Sequence, residues 1–428
     1  MLARIRTSAD DAGMSSQPSR PPSLWWNDPV RPFPPLTTRA EGDVIVIGGG
    51  ITGITLAWTL ATQDARVVLI DAGWIAGAAS GRNAGFLMAG PAEPYAELVA
   101  MYGRAGARAI LQAGRRNHVR IRALIEHLSL ECEHRVRGSV RLARTVEEAE
   151  DQRASIPLLR EDGNRSAEVA VADVTPPHTA GLFCAAFFDP DNGELQPVRF
   201  LRGLAAAAAG RGTQVFEHSP VTGARATTAG WEVKTASGSA TARTLVIATN
   251  AYAPRLCPVL EPLIRPRRGQ MLSTAPLPHE IARRPSYAHW GYQYWRQAAD
   301  GRLVIGGWRD LDLDGETGYD DETNERIQAA IEAGLRELVP EGTTIEHRWA
   351  GTMGFARDGR PLVGWLDAER HLAICAGFTG HGMGMAAACT EALAELLSFR
   401  DAPAIHTFAP SRFPELARHD GPFIALPG

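Results

Sequence analysis

Val44-Ile45-Val46-Ile47-Gly48-Gly49-Gly50-Ile51-Thr52-Gly53 is a buried-strand run followed by a glycine turn, and Asp71 comes about 20 residues further on. A strand that runs through such a turn into a helix aims backbone N–H groups and the positive helix end at one point, which suits a pyrophosphate. Gly48 permits the tight turn, Gly50 lets phosphates approach the backbone, and Gly53 lets the helix pack closely on the strand. The helix is read as Ile54 to Ala61 and a second strand as Arg66 to Ile70. Asp71 then stands where a carboxylate accepts both hydroxyls of an adenosine ribose, so a cofactor without a 2′-phosphate is expected.

Outward from this unit, the chain of 428 residues is 45% hydrophobic with a formal charge of −4, enough to build a large core in more than one domain-sized unit. It has no basic stripe for nucleic acid. No apolar run is long enough for a membrane span. The five cysteines (Cys132, Cys184, Cys257, Cys375, Cys389) show no metal-ligand spacing, and no metal is expected. Their scatter and odd number suggest no disulfide framework, so a reducing cytoplasm is expected. Met1 to Pro22 is polar and proline-containing, without an apolar core of the signal-peptide kind, and is read as a disordered tail. Trp25 and Trp26 are expected to dock onto the body.

Further along, Gly77 to Gly85 is a small-residue loop with one cation and one amide. Tyr95 to Leu128 has helical periodicity broken near Gly103 and Gly106. A helix opening at Pro197 leads into a small β-meander read as Gln214–Glu217, Val221–Ala226 and Trp231–Thr235. Thr244 to Asn250 is apolar throughout, as a central strand of a parallel sheet is. Residues 264–350 alternate like antiparallel strands, with a helix at Glu322 to Leu338. Leu372 to Gly377 then returns to the character of the first unit, and Gly380-His381-Gly382-Met383-Gly384 opens a helix. The fold class expected is α/β, with a discontinuous Rossmann-like dinucleotide-binding domain and an α+β substrate domain built on a mainly antiparallel sheet. Residues 1–38 are assigned to a tail and docking segment, 39–95, 186–262 and 346–428 to the nucleotide domain, and 96–185 and 263–345 to the substrate domain.

These pieces, in this order, resemble the FAD-dependent oxidoreductases of the D-amino-acid oxidase superfamily, in the branch with glycine oxidase, sarcosine oxidase and γ-glutamylputrescine oxidase. The resemblance rests on the glycine turn, Ser80-Gly81-Arg82-Asn83-Ala84-Gly85, Ala248-Thr249-Asn250-Ala251-Tyr252, Arg268-Gly269-Gln270, Gly306-Gly307 and Gly377-Phe378-Thr379-Gly380-His381-Gly382. It implies FAD, held non-covalently, on Gly48, Gly50, Ile51, Thr52, Gly53, Asp71 and Ala72. It adds the loop Ser80, Gly81, Arg82, Asn83, Ala84 and Gly85, then Val221, Thr249, Asn250, Gly269 and Gly351, and finally Gly380, His381, Gly382 and Met383. His381 is read either as a flavin contact or as a helix cap, and Arg82 and Asn83 either as cofactor ligands or as a solvated turn.

The chain departs from these relatives in three places. Where glycine oxidase carries an arginine that clamps the substrate carboxylate, the alignment places Met353, so an acid would need another arginine such as Arg296 or Arg357. Gly351 stands where sarcosine oxidases attach flavin through cysteine, and no histidine occurs between Trp74 and Gly90 for a linkage there. Lys234, the only lysine, lies in the meander, away from the place where those oxidases use one beside the flavin.

The expected reaction is oxidation of a C–N bond in a small-molecule amine or amino-acid-derived substrate to an imine, hydrolysed to a carbonyl compound. The expectation is closer to γ-glutamylputrescine oxidase than to glycine oxidase, with O2 or another electron acceptor. Tyr292 and Tyr294, alternating on a strand, are expected to form the substrate wall or to pack in the core. Trp290 and Trp295 are read as core. With His381, Met353 and Arg296 these tyrosines make up the candidate catalytic set. A hydroxy-acid dehydrogenase, an RNA-modifying flavin module and a flavin-bearing partner subunit are the competing readings. Asp310 to Gly315 followed by Asp321 has the start of a calcium-loop pattern without its final glutamate, and is read as an acidic surface loop.

Overall fold

The computed structural model describes residues 21–90, 93–398, 402–419 and 421–424, so most of the tail read at Met1 to Pro22 lies outside the described residues. Six strands form one sheet in the order 362–367, 372–376, 244–247, 44–47, 67–70, 214–216. All neighbours are parallel except 362–367, which runs antiparallel to 372–376. Strands Val44–Ile47, Val67–Ile70, Thr244–Ile247 and Leu372–Ala376 are buried at every residue, as strands covered on both faces must be. Their alternation sorts two cores. Val44, Val46, Leu69 and Val246 pack with helices Ile51–Ala61, Pro197–Gly210 and Gly382–Leu397. Ile45, Ile47, Val68 and Ile70 face Trp231, Val233 and Ala240 of a small sheet on the opposite side.

Two local readings change. The first helix starts at Ile51 instead of Ile54, because the last residues of the glycine turn are its first turn. Gln214–Phe216 leaves the meander and becomes the edge of the parallel sheet, paired with Val68 to Ile70. The small sheet is completed instead by Ser239–Ala242 and by Arg39–Glu41, which runs parallel to it. An apolar edge strand and a meander strand look alike in a short window, and only the pairing partner separates them.

The second large sheet has eight strands in the order 345–356, 264–276, 302–307, 293–297, 286–288, 139–143, 185–189, 167–169. Every pairing is antiparallel except that of 286–288 with 139–143. Pairing draws Ala185–Asp189 and Ile345–Ala356 into this sheet, whereas the sequence boundaries at 186 and 346 give them mostly to the nucleotide unit. Helix Glu325–Leu338 covers one face through Ile327, Ile331 and Leu335 against Leu272, Trp295 and Ile305. The other face turns Met271, Val304 and Tyr294 toward the core that holds the nucleotide helices. Among the described residues no helix is long and apolar enough to cross a membrane.

Candidate functional site

A cavity of about 700 Å³ runs from the carboxyl ends of the parallel strands to the face of the second sheet. That is the crevice where open α/β sheets bind ligands, and its size suits a dinucleotide. Gly48, Gly50, Ile51 and Thr52 line it, and the helix they open has no side-chain cap. Gly48 has φ of +109°, and a Cβ there would lie 2.7 Å from the Ala248 carbonyl, so only glycine fits the turn. Gly53 has a different task. Its Cβ would lie 1.8 Å from the Gly48 carbonyl, so it sets the approach of helix to strand and does not line the cavity.

Asp71 lines the cavity beside Ala72. Its Oδ2 accepts from the Gly49 amide at 2.6 Å and its Oδ1 from the Gly73 amide at 2.7 Å. Burial raises its pKa more than these amides lower it. Each oxygen keeps a further acceptor site for a ribose hydroxyl. Ser80 Oγ takes the Ile51 amide at 2.9 Å, which ties the second loop to the first helix turn.

Arg82 is no solvated turn residue: its side chain is only 14% exposed and pairs with Asp321 at 3.0 Å. It also donates to the Gly77 and Ala350 carbonyls. Asn83 bridges its own loop, donating to Ala79 and Ser80 carbonyls and accepting the Gly85 amide. Gly81 and Gly85 are packing positions, where a Cβ would meet the Ala76 carbonyl at 2.1 Å and the Leu195 carbonyl at 2.3 Å. On the far wall Val221, Thr249 and Asn250 line the cavity, as do Gly380, Gly382 and Met383. The Thr249 hydroxyl is buried and has no partner among the described residues, the mark of a wall built for a polar ligand. The sequence reading missed Trp74 and Arg255 here, because no motif carries them. It included Tyr252 at the end of the Ala248–Tyr252 stretch without giving it a role, and it left Pro21 and Pro22, which also line the cavity, in the tail.

A smaller chamber of about 110 Å³ adjoins the cavity and shares Arg82, Asn83, Met353, Gly380 and Met383 with it. Ala84, Gly269 and Gly351 line the chamber only. His381 lines it too, and the histidine side chain does not cap the following helix. Its Nδ1 lies 2.8 Å from the Thr379 carbonyl, which can only accept, so Nδ1 carries the proton and Nε2 is the free acceptor. Burial lowers the His381 pKa, so the ring is neutral at pH 7.

Tyr294 and Tyr287 line the chamber as register partners on adjacent strands, with ring centroids 6.1 Å apart. Tyr292 does not line it. The strand starts at Gln293, and Trp290 (φ 51°) and Gly291 (φ 85°) place Tyr292 in a turn, so the alternation does not reach it. Burial pushes the Tyr294 phenol up to about 12, keeping it a hydrogen-bond donor. Trp295 is core at 5% exposed, whereas Trp290 is half-buried and donates to Asp151.

Arg296 is fully buried away from the chamber, donating to the Ala84 and Leu195 carbonyls and pairing with Glu194 at 3.3 Å. It shares Tyr294's sheet face but reaches the loop beneath the chamber floor. Arg357 is bound to Glu415 at 2.7 Å and lines neither cavity. The cation that lines the chamber beside Arg82 is Arg309, which follows strand Arg302–Gly307 and was not singled out from sequence.

The acidic loop lies on the surface, with Leu311, Leu313, Asp314 and Gly315 exposed, and its acids make ion pairs. Asp310 pairs with His289 at 3.2 Å, and Asp321 holds Arg82 and accepts from Thr352. Lys234 is exposed on the small sheet. None of the five cysteines lines either cavity.

The family model described as FAD dependent oxidoreductase matches residues 43–396. The γ-glutamylputrescine oxidoreductase of Escherichia coli K12 is 28% identical over 381 residues, covering 86% of each chain. A glycine oxidase of Geobacillus kaustophilus HTA426 is 26% identical over 357 residues, covering 80% of this chain and 89% of its own. The crystal structure of glycine oxidase from Geobacillus kaustophilus superposes with a TM-score of 0.75 at 22% identity, over 89% of this chain and 100% of the other.

Proposed function

The chain belongs to the FAD dependent oxidoreductase family, and from that premise we propose that it oxidises the C–N bond of an amine or amino-acid-derived substrate to an imine, which water hydrolyses to a carbonyl compound. The observation that carries this reading is the junction of the dinucleotide cavity with a mostly apolar chamber through Arg82, Asn83, Met353, Gly380 and Met383. The strand-end glycines and Asp71 would hold FAD's pyrophosphate and ribose, and the Arg82 loop and the Gly382 helix start would hold its flavin end. Bound FAD supplies the acceptor for the two electrons and proton that leave with the substrate's C–H bond.

The chain's own residues prepare the substrate. Phe86, Met271, Met353 and Phe355 make a chamber wall in which an ammonium loses its proton readily, since burial disfavours the charged form. Nε2 of His381, a residue of the chamber lining, would take that proton, leaving the nitrogen lone pair to form the C=N bond as the C–H bond breaks. Hydrolysis then adds water across C=N, giving the carbonyl compound and releasing the nitrogen as ammonia or an amine.

Met353 leaves no cation at that position, which supports a substrate larger than glycine, nearer to that of the E. coli relative. O2 or another carrier would take the electrons, and Arg82 and Arg309, with Lys234 remote, are the cations beside that step. We also place the FAD as non-covalent.

Anaerobic titration of the yellow holoenzyme with amines, γ-glutamyl amines, amino acids and hydroxy acids tests the reaction class. Bleaching by an amine or amino acid is expected, with rapid return of colour in air marking an oxidase and slow return a dehydrogenase. Bleaching by hydroxy acids alone would overturn the reading. Denaturation should release the flavin from the polypeptide.

A further inference from the structure

We propose that Arg309 is the anion-binding residue of the chamber, and that the substrate is therefore an amine carrying a carboxylate and not a free diamine or polyamine. This rests on the function proposed above and names the substrate class of the same site.

The charges on the chamber wall point to this. Its lining includes Arg82, Arg309 and His381 and no aspartate or glutamate. Arg82 is neutralised by Asp321 at 3.0 Å. His381 is neutral for the reason given above. Behind the wall, Glu93, Arg141 and Asp189 line a neighbouring cavity, and none of the three lines the chamber itself. What remains is the single positive charge of Arg309, for which no ion pair with a described residue is found. A dication entering this chamber meets a cation and no counter-charge, whereas a carboxylate meets its complement.

The geometry keeps the guanidinium ready. Its centre lies 4.7 Å from the Tyr292 ring centroid and 5.1 Å from that of Phe355. Aromatic faces fix its plane and accept none of its N–H bonds, so the fork stays available for bidentate pairing. The backbone before it is held in the left-handed region at Trp308 (φ 57°, ψ 16°), whose buried ring packs so tightly on the following helix that a Cβ at Gly334 would overlap it at 2.2 Å. The backbone after it is tied down by Asp310 to His289. Such preorganisation lowers the ordering cost of binding. The phenols of Tyr287 and Tyr294 line the same chamber and could donate to the second carboxylate oxygen. The anion subsite therefore sits on the turn after strand Arg302–Gly307, not at position 353.

The test needs no turnover. Oxidised holoenzyme is titrated with acetate, glutarate and benzoate, and with putrescine as the amine lacking a carboxylate, reading the perturbation of the flavin spectrum. At least one carboxylate should bind competitively with substrate, and Arg309→Met should weaken it by about 10- to 100-fold, the range for a lost charge-assisted pair. Retained flavin would show that the variant is folded. Arg309→Lys keeps the charge without the fork, so intermediate binding is expected. In turnover, Arg309→Met should raise KM far more than it lowers kcat. Unchanged carboxylate binding in either variant, or putrescine bleaching the wild type as efficiently as its carboxylate-bearing derivatives, would overturn the proposal. A protein that no amine bleaches but that still binds carboxylates through Arg309 would sink the proposed reaction while leaving the anion subsite standing.

Discussion

His118 is 5% exposed, and its Nε2 is buried without a partner among the described residues. Burial, helped by the charge of Arg122, lowers its pKa to about 4. An unfolded histidine titrates near its ordinary value, so the unfolded chain binds the extra proton between about 6.5 and 4 and stability falls as pH drops through that window. The loss expected is of order 2–3 kcal/mol for this one group. The melting temperature of the wild type should therefore decline from pH 7 to pH 4.5, and His118→Leu should flatten that decline; an unchanged slope in the variant would place the acid sensitivity elsewhere. At this scale the residues legible from sequence were those whose type is forced locally, such as Gly48 with its positive φ and Asp71 at a strand end. Tyr287 and Arg309 were not legible, because a phenol enters the chamber only through cross-strand register and an arginine only through the turn that follows a strand. Arg296 looked like a candidate for the opposite reason: an arginine within an aromatic run reads as a site, although every bond it makes holds a loop in place.

The short helix Leu24–Trp26 shows what an element can do without touching a ligand. Ser23 Oγ donates to the Gly81 carbonyl at 2.5 Å, and Trp25 Nε1 donates to the Asn83 carbonyl at 2.7 Å. Gln196 fixes the Trp25 carbonyl at 2.9 Å, and the Arg296 guanidinium lies 4.9 Å from the Trp25 ring centroid. The segment thus braces the Ser80–Gly85 loop without itself lining the cavity. Trp25→Phe removes the indole N–H while keeping most of the packing, and should weaken FAD binding about fivefold, the equivalent of roughly 1 kcal/mol. Titration of apoprotein with FAD by flavin fluorescence measures this, and wild-type affinity would show that the loop holds its shape unaided. The periodic elements were legible because their apolar residues recur at helix or strand spacing. Gln214–Phe216 was misassigned because three residues carry no period, and sheet membership is decided by a partner some 145 positions earlier, at Val68 to Ile70.

Across the whole molecule, the cavity proposed for FAD is walled by segments from both large sheets and from seven separate stretches of described chain, around residues 21–22, 47–52, 70–83, 220–221, 248–256, 352–353 and 378–383. A ligand bound at such a junction couples both sheets to one folding equilibrium. FAD at 100 times its dissociation constant should stabilise the protein by about 2.7 kcal/mol, and stripping it should lower the melting temperature by a few degrees, in proportion to the logarithm of added FAD. A melting temperature indifferent to FAD would mean that the unfolding unit does not include the cavity. The return of the chain to the nucleotide sheet was legible in the uniformly apolar strands at 244–247 and 372–376. The membership of 345–356 in the other sheet was not, since a long strand shows its own burial pattern and not its neighbour. The strand order also fixes a timetable for synthesis. Thr244–Ile247 sits between Val44–Ile47 and Leu372–Ala376, so the ribosome must deliver more than three hundred residues after the glycine turn before its sheet is complete. At about 5–20 residues per second that is an interval of roughly fifteen seconds to a minute. Throughout it the nascent chain carries a finished phosphate turn and an unfinished wall, so flavin capture belongs to the last stage of translation or follows it.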